Sequence, residues 1–328
     1  MRAVYITEFG RIEDVEIREL SDPLPPVESQ VLVRVHAAGL NRADLLQARG
    51  SYPPPAGYSP NIPGLEFAGE VAAIGDDVKI WSVGDRVFGI TAGEAQTELL
   101  LTEASLLIAI PDDLSFAEAA SVPEAFITAH DAIFTLGGLK ENETLLIHAV
   151  GSGVGLAALQ LAKAKGAFVI GTSRTAEKVE RCKEFGLDAA IVTGDTVDFA
   201  SAVNEATNGK GVDVILDLVG AAYFQQNLAS SALKGRLILV GLTSGATAEF
   251  NLGIALQKRL RITGTMLRGR SIEEKADVVK KFSDEVVPLF ESGKLRPNLD
   301  RTFAIENVVD AYKYLESNES FGKIVLEF

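Results

Sequence analysis

The first part of the chain alternates apolar and polar positions with a period of two. Residues 31–36 read Val-Leu-Val-Arg-Val-His, so valine occupies every second position, which is typical of a half-buried β-strand. Three consecutive prolines, at residues 53–55, exclude regular structure there. Glycines then separate short apolar runs at residues 64–75 and 85–90. This pattern predicts a small antiparallel barrel within residues 1–122.

The pattern changes at Pro123, where apolar runs begin to alternate with amphipathic helices. A helix is predicted over residues 125–135, and further helices separate a series of β-rich runs. These runs are predicted strands at residues 145–149, 168–172, 189–192, 212–217, 236–240 and 261–265. Apolar strands separated by helices are typical of a parallel sheet that is covered on both faces. Six strands in this order predict a doubly wound α/β domain over residues 123–266.

The last segment, residues 267–328, has the character of the first domain. It contains a long helical stretch at residues 272–291, a turn at 293–297, a helix at 305–316 and a terminal strand at 324–328. We therefore expect this segment to return to the first, mainly β domain. The prediction is an α/β protein of two domains, in which residues 1–122 and 267–328 flank the parallel-sheet domain.

Charge and cysteine content narrow the possible partners and locations. The net charge of −14 would repel phosphate backbones and anionic lipids, so we expect a small-molecule ligand and neither nucleic acid nor a membrane. The single cysteine, Cys182, excludes an internal disulfide and a multi-thiolate metal site, and its predicted helical position favours packing over a nucleophilic role. Because neither a signal peptide nor a membrane-spanning run is recognisable, a cytoplasmic location is expected.

A glycine-rich segment joins the first strand of the parallel-sheet domain to its helix. Gly151, Gly153 and Gly155 form a G-x-G-x-G pattern rather than a strict G-x-G-x-x-G. Between a strand and a helix, such a cluster lets a pyrophosphate approach the backbone and the helix N-terminus. The alternative is a tight turn without a ligand, but the βα units that follow favour dinucleotide binding.

The end of the second predicted strand indicates which dinucleotide is bound. An NAD site usually places Asp or Glu there to accept hydrogen bonds from ribose hydroxyls. Residues 171–178 contain no acid before Glu177 but carry Ser173, Arg174 and Lys178. A hydroxyl and two cations suit the 2′-phosphate of NADPH, which a carboxylate would repel. NADPH is therefore the predicted cofactor, and the alternative is that Arg174 and Lys178 are ordinary solvated charges.

The three histidines are predicted to be structural. No carboxylate stands at catalytic spacing from His36, His130 or His148. The sequence also shows no nucleophile elbow and no pair of carboxylates whose spacing indicates hydrolysis. A histidine base and a hydrolytic activity are therefore disfavoured.

Motifs along the whole chain resemble those of the quinone oxidoreductase group of medium-chain dehydrogenases/reductases. They are Asn-Arg-Ala-Asp-Leu at 41–45, Gly-Ser-Tyr-Pro-Pro-Pro at 50–55, Gly-Leu-Glu-Phe-Ala-Gly at 64–69, Gly-Asp-Arg-Val at 84–87, Pro-Glu-Ala-Phe-Ile-Thr-Ala at 123–129, Ile-His-Ala at 147–149 with Ser-Gly-Val-Gly at 152–155, and Gly-Lys-Ile-Val-Leu-Glu at 322–327. Their joint occurrence makes the resemblance specific. It implies a GroES-like, mainly β catalytic domain, a Rossmann domain with a six-stranded parallel sheet, and a cleft between them.

The resemblance also implies that the protein binds no zinc. Metal-dependent members of the superfamily carry cysteine where this chain has Asn41 and histidine where it has Leu65. They also commonly carry a four-cysteine structural zinc lobe, for which this chain lacks the cysteines. Leucine cannot ligate a metal, and Glu66 by itself cannot bind zinc tightly.

The family's site, carried over by position, assigns roles to residues of both domains. Asn41, Tyr52 and Thr128 are expected at the nicotinamide end. The other expected contacts are Ser152, Gly153 and Val154 with the pyrophosphate, Ser173 and Lys178 with the 2′-phosphate, Gly241, Leu242 and Thr243 with the ribose and nicotinamide, and Met266, Leu267, Arg268 and Ser320 around the cleft. Thr193 stands where relatives often place a tyrosine over the adenosine end, so a hydroxyl replaces a stacking contact there.

The implied activity is metal-free hydride transfer from NADPH to a quinone. A site without a metal cannot polarise a simple ketone by Lewis-acid action. A quinone needs less assistance because its product is aromatic, so positioning could supply most of the catalysis. Tyr52 and Asn41 are predicted to donate hydrogen bonds to the acceptor oxygen. The alternatives are that Tyr52 packs on the neighbouring prolines and that Asn41 stabilises a turn.

Two other functions stay open at the level of sequence. One is reduction of an enone, alkenal or enoyl thioester, because enzymes of that kind carry a tyrosine in the Gly-x-Tyr-Pro context of Tyr52. The other is a non-catalytic NADPH-binding structural role, as in the lens crystallins of this family. Family members also pair their sixth Rossmann strands about a two-fold axis, so residues 259–265 predict a homodimer, with a tetramer as the alternative.

Overall fold

The computed structural model describes residues 1–194 and 198–328, which form two compact units. Unit 1 comprises Met1–Ile127 and Leu267–Phe328, and unit 2 comprises Thr128–Met266. The C-terminal segment therefore belongs to the same unit as the N-terminal one. One boundary between the units lies after Met266, and the other lies inside the helix that begins at Pro123.

The described residues form fifteen strands and ten α-helices. The strands are β1 Arg2–Ile6, β2 Val15–Glu19, β3 Gln30–Gly39, β4 Glu66–Ile74, β5 Arg86–Ile90, β6 Leu99–Glu103, β7 Leu107–Ala109, β8 Thr144–Ile147, β9 Phe168–Ser173, β10 Ala189–Val192, β11 Val212–Asp217, β12 Ser231–Leu239, β13 Arg261–Gly264, β14 Leu299–Ala304 and β15 Lys323–Glu327. The α-helices are α1 Arg42–Ala48, α2 Phe116–Ala120, α3 Pro123–His130, α4 Gly153–Ala164, α5 Ala176–Cys182, α6 Ala200–Ala206, α7 Phe224–Ser230, α8 Leu252–Lys258, α9 Ile272–Glu291 and α10 Val308–Ser317.

Unit 1 is built on a sheet in which β3 is the central strand. Strand β3 pairs antiparallel with β4, β6 and β15. On the far side of β4, the sheet continues with β5 and then β7, and each of these pairings is antiparallel. The alternating valines predicted to face a core do so, because Val31, Val33 and Val35 are at most 2% exposed. Strand β14 joins this sheet beside β15, so the chain's end completes the first unit.

Unit 2 contains the predicted doubly wound parallel sheet. Its strand order is β10-β9-β8-β11-β12-β13, and each described pairing is parallel. Helices α4 to α8 lie in the connections between these strands. The order reverses between β8 and β11, the place where such sheets bind ligands beyond the carboxyl ends of their strands. The predicted six-stranded Rossmann sheet is confirmed.

Several element boundaries differ from those predicted by periodicity. Helix α3 begins at Pro123 because proline fits the first helical position, and a π-helical turn, Asp131–Leu136, continues it. Strand β12 starts at Ser231, whereas the sequence predicted this strand from residue 236. Helices α1, α2 and α8 and strand β14 had no counterpart in the sequence prediction. Among the described residues, no helix is both long and apolar enough to span a membrane.

Candidate active site

The carboxyl edge of the parallel sheet gathers the residues predicted to bind the cofactor in unit 2. Strands β8, β9, β10, β12 and β13 end at this edge. The predicted residues that directly follow or end these strands are Ser152, Gly153, Val154, Ser173, Arg174, Thr193, Gly241, Leu242, Thr243 and Met266. The topology therefore places these candidate contacts along the same edge of the sheet.

The glycine-rich turn after β8 has the backbone of a phosphate cradle. Ala149 adopts a left-handed conformation with φ of 49°, which is uncommon outside glycine. Helix α4 follows, and the Ser152 hydroxyl caps it by accepting a hydrogen bond from the Gly155 amide at 3.1 Å. A Cβ atom at Gly155 would lie 2.5 Å from the Ala149 carbonyl oxygen. Glycine is therefore needed for the helix to approach the turn, as dinucleotide sites require.

The end of β9 presents a hydroxyl and two cations. Ser173 is 8% exposed, and its hydroxyl accepts a hydrogen bond from the Thr175 amide at 3.4 Å. Arg174 is exposed just before helix α5, and Lys178 is half-buried in the first turn of this helix. The chemistry of these groups fits a 2′-phosphate, because charge-assisted hydrogen bonds from cations to phosphate oxygens are strong.

Thr193 faces the interior of unit 2. It is 2% exposed, and its hydroxyl donates to the Ser173 carbonyl at 3.3 Å and accepts from the Tyr223 hydroxyl at 3.0 Å. In this arrangement, Thr193 supports the residue that ends β9. Its predicted contact with the adenosine end stays a prediction.

The remaining predicted contacts divide between the two units. Gly241 follows β12, and a Cβ atom there would lie 2.5 Å from the Leu218 carbonyl oxygen, so glycine allows the two segments to approach. Leu242 is 54% exposed and Met266 is 56% exposed. Thr128 and Thr243 belong to unit 2, whereas Leu267, Arg268 and Ser320 belong to unit 1.

A buried polar chain beneath the glycine-rich turn was not predicted. His148 places Nδ1 2.9 Å from the Thr172 hydroxyl and Nε2 2.6 Å from the Asn227 amide oxygen. Asn227 donates in turn to Asp217 at 2.9 Å. Burial lowers the pKa of His148, so the ring is neutral at physiological pH. The network joins the ends of β8, β9 and β11. No sequence pattern predicted it, because its members lie far apart in the chain.

Asn41 is held by two charged side chains in unit 1. Its amide nitrogen donates to Glu66 Oε1 at 2.8 Å, and its amide oxygen accepts from Lys323 Nζ at 2.7 Å. Its backbone amide also donates to the Asp44 carboxylate at 2.7 Å, across the first turn of α1. The side chain is thus fixed in orientation, and its predicted hydrogen bond to an acceptor stays a prediction.

The pair formed by Glu66 and Lys323 lies at the centre of this arrangement. The carboxylate is fully buried, and the ammonium of Lys323 lies 2.5 Å from Glu66 Oε1. Lys323 also donates to the Leu40 carbonyl, and the Glu124 backbone amide donates to Glu66 Oε2 at 2.8 Å. Every hydrogen of the ammonium therefore has an acceptor. Glu66 and Lys323 are the first residues of β4 and β15, and the sequence analysis did not predict that they pair.

Tyr52 lies in the loop between α1 and β4, beside the guanidinium of Arg268. The guanidinium carbon is 4.9 Å from the centre of the Tyr52 ring, and Nη1 donates to the Tyr52 carbonyl at 2.9 Å. Burial raises the pKa of the Tyr52 phenol, and the positive charge of Arg268 opposes this shift. Arg268 is 4% exposed. Its predicted contact with the cofactor stays a prediction.

Two carboxyl groups of unit 1 hold their protons unusually strongly. Burial, reinforced by the charge of Glu66, raises the pKa of Glu124 to about 8. Burial also raises the pKa of Asp44 to about 6, although the amides of Asn41 and Gly64 donate to its carboxylate. At neutral pH, Glu124 is therefore largely protonated and can donate as well as accept a hydrogen bond.

The positions that bind a metal in zinc-dependent relatives are occupied differently here. Leu65 is 2% exposed and apolar, and the Asn41 amide oxygen already accepts a hydrogen bond from an ammonium. Within the described ranges, no group of three or more His, Cys, Asp or Glu side chains is arranged to hold a metal ion.

Comparisons with known proteins identify the family. Residues 27–131 match the alcohol dehydrogenase GroES-like domain, and residues 153–284 match the zinc-binding dehydrogenase family. A quinone oxidoreductase of Pseudomonas aeruginosa is 33% identical over 332 residues, which cover 99% of both chains.

Solved structures of similar proteins cover the whole fold. A mycobacterial protein complexed with NADPH superimposes with a TM-score of 0.90 at 29% identity and covers 100% of both chains. The CurK enoyl reductase superimposes with a TM-score of 0.87 at 26% identity, covering 99% of this chain and 98% of its own. The chain belongs to the medium-chain dehydrogenase/reductase superfamily, among relatives of its quinone oxidoreductases.

Proposed function

We propose that this protein is an NADPH-dependent, metal-independent reductase that delivers hydride to quinones. The observation that carries the proposal is the residues at the end of β9. No acidic residue stands there before Glu177, and Ser173, Arg174 and Lys178 are present instead. The glycine-rich turn typical of dinucleotide binding follows the preceding strand, β8. The full-length similarity to quinone oxidoreductases and to an NADPH complex supports it.

The residues of unit 2 would hold the cofactor in three places. The amides of Gly153 and Val154 at the N-terminus of α4 would bind the pyrophosphate, since a helix N-terminus favours an anion. Ser173, Arg174 and Lys178 would bind the 2′-phosphate. When bound, NADPH supplies a hydride from C4 of its nicotinamide ring.

In unit 1, Tyr52 is the proposed donor to the acceptor. Its hydroxyl would donate a hydrogen bond to the quinone oxygen, and its proton would neutralise that oxygen as negative charge develops. Asn41 would help to line the same site, with its amide orientation fixed by Glu66 and Lys323.

Metal independence is supported by the charges around Asn41. A Lys323 ammonium 2.7 Å from the Asn41 amide oxygen would repel a metal cation placed against that oxygen. Leu65 offers no ligand in place of the histidine of zinc-dependent relatives. Elemental analysis of active protein should therefore find no stoichiometric zinc, and the opposite result would overturn this part of the proposal.

Reduction of an enoyl thioester or another conjugated carbonyl is the second candidate. The similarity to the CurK enoyl reductase over 99% of the chain favours it specifically. In that reaction, the Tyr52 proton would go to the α-carbon or to the enolate.

Steady-state assays separate these candidates. NADPH oxidation should be measured with 1,2-naphthoquinone and with a trans-2-enoyl thioester, each with NADH as the alternative reductant. We expect the larger kcat/KM with the quinone and a clear preference for NADPH. A much larger kcat/KM with the thioester would establish the second candidate instead. Tight NADPH binding with negligible turnover on either acceptor would indicate a non-catalytic, structural role.

The assembly we propose is a homodimer in the cytoplasm. Strand β13 is at the edge of the parallel sheet and could pair with its counterpart in a second copy. Sedimentation at micromolar concentration should detect the dimer or a tetramer, and a monomer would contradict the proposal.

A further inference from the structure

The loop that carries Tyr52 is held by a buried cation from a remote part of the sequence. Arg268 Nη1 donates to the Tyr52 carbonyl at 2.9 Å, and its guanidinium carbon lies 4.9 Å from the centre of the Tyr52 ring. One side chain therefore contacts both the backbone and the ring of the proposed proton donor. Contact of this kind limits the positions that the ring can adopt.

Arg268 is itself fixed in place by further acceptors. Its Nε donates to the Ala92 carbonyl at 2.7 Å, and Nη2 donates to Gln47 Oε1 at 2.5 Å. Gln47, in helix α1, also donates to the Pro60 carbonyl at 2.9 Å. The planar guanidinium thus joins helix α1, the segment after β5 and the Tyr52 loop, a geometry that lysine cannot reproduce.

The charge of Arg268 acts on the Tyr52 phenol in the direction that catalysis needs. Burial disfavours the phenolate, Arg268 favours it, and Glu124 disfavours it when ionised. The carboxyl groups of Asp44 and Glu124 also act on Arg268, and their negative charge favours its protonated form. The Lys275 ammonium interacts electrostatically with both Arg268 and Glu124. Burial lowers the pKa of Arg268. A guanidinium nevertheless remains protonated in proteins, so the cation is present throughout the working pH range.

We propose that Arg268 is a positioning residue for Tyr52, which fixes its ring and stabilises the negative charge left on its oxygen after proton transfer. The inference rests on the proposed function, because it assigns the proton of that reaction to Tyr52. The acceptor gains the hydride at one atom, and its oxygen takes the proton as the Tyr52 O–H bond breaks. The resulting phenolate lies beside the guanidinium until water returns a proton to it.

A spectroscopic titration tests the coupling without using activity. Tyrosinate absorbance is followed with pH in the full-length protein, and the Tyr52 component is the difference between each protein and its Tyr52→Phe counterpart. We expect the pKa of the Tyr52 phenol to rise in Arg268→Met and to rise less in Arg268→Lys, which keeps the charge. An unchanged Tyr52 transition in both variants would overturn the proposal.

Kinetics test whether the coupling serves the reaction. We expect kcat to fall at least about tenfold in Arg268→Met. The KM for NADPH should change less than about twofold, because in this proposal Arg268 acts on Tyr52 and does not bind the cofactor. In a Tyr52→Phe background, Arg268→Met should have little further effect, since the two residues act as a unit. A raised KM for NADPH with unchanged kcat would show that Arg268 contacts the cofactor instead, and would overturn the proposal.

A matched control variant tests whether the effects are specific to Arg268, and a second variant is available if the first does not fold. Arg301 lies 4.3 Å from the Tyr314 ring and is exposed, so Arg301→Met should change neither the Tyr52 titration nor kcat. If Arg268→Met does not fold, Arg268→Lys gives the same tests with smaller effects. If Tyr52→Phe leaves kcat unchanged, the proposed catalytic role of Tyr52 fails, whereas a shifted titration would still establish the contact between the two residues.

Discussion

In the function proposed above, cofactor choice depends on a few side chains at the end of one strand. Ser173 ends β9, and Arg174 and Lys178 lie at the start of the next helix. Each charge-assisted hydrogen bond to a phosphate contributes about 1.5–3 kcal/mol, so a pair of cations can set the preference between the two nucleotides.

The paired substitution Arg174→Ala with Lys178→Ala should weaken NADPH binding and leave NADH binding nearly unchanged. The loss should be up to several kcal/mol, about 1.5–3 kcal/mol for each charge-assisted bond, because NADH has no 2′-phosphate to lose. Calorimetric titration of both nucleotides measures the difference. Glu205→Gln, at an exposed position of α6, is the control. Equal losses for NADPH and NADH would refute the phosphate assignment.

At the scale of elements, one buried ion pair joins the two ends of the chain within unit 1. Lys323 begins β15, its partner Glu66 begins β4, and its partner Asn41 is the N-cap residue of α1. The pair links the returning C-terminal segment to the segment that carries Asn41. A buried charge whose partner is removed costs more than the pair itself contributes.

Removal of one member of this pair should destabilise the protein strongly. Lys323→Met leaves the Glu66 carboxylate buried without its cation, and the expected loss in unfolding free energy is about 3–5 kcal/mol. Adding Glu66→Gln in the same chain should recover part of this loss, because the uncompensated charge disappears. Chemical denaturation of the two variants measures both effects. Lys280→Met, in an exposed pair on α9, should change stability by less than about 1 kcal/mol. Similar stabilities for Lys323→Met and the natural protein would contradict this view.

At the scale of the whole molecule, buried carboxyl groups set how stability depends on pH. In Glu124 and Asp44, burial raises the pKa of the folded protein above that of the unfolded chain. The folded state then binds more protons than the unfolded state in the interval between the two pKa values. Stability from these groups is therefore full at low pH and is lost as pH rises through the folded pKa.

Glu124→Gln should remove much of this pH dependence. For Glu124, the interval runs from 4.5 to about 8, so the natural protein should lose stability as pH rises from about 6 to about 8. A glutamine remains neutral, and at pH 8 the variant should be more stable by at least about 1.4 kcal/mol, the equivalent of one pKa unit. Denaturation at pH 6, 7 and 8 provides the comparison, with Glu205→Gln as the exposed control. Parallel pH profiles for Glu124→Gln and the natural protein would disprove the assignment.

Two of the elements that sequence patterns missed, α8 and β14, share a physical cause. Helix α8 buries none of its residues, and strand β14 shows no alternation of buried and exposed positions. Periodicity reports a buried face, so an element without one leaves no periodic signal. Both elements are held by local capping or by pairing with a neighbouring strand, as Asn251 caps α8 and β15 pairs with β14.

By itself, the sequence determined the features that depend on neighbours in the chain. These features are the valine alternation of β3, the succession of strands and helices along the chain, the glycine-rich turn and the charges after β9. The strands and helices are visible as local patterns because backbone geometry repeats every two or 3.6 residues. Tertiary structure alone decided the partners of the site residues. Lys323 reaches Asn41 and Arg268 reaches Tyr52 across more than 200 residues, since such contacts depend on how the elements pack and no local periodicity encodes them.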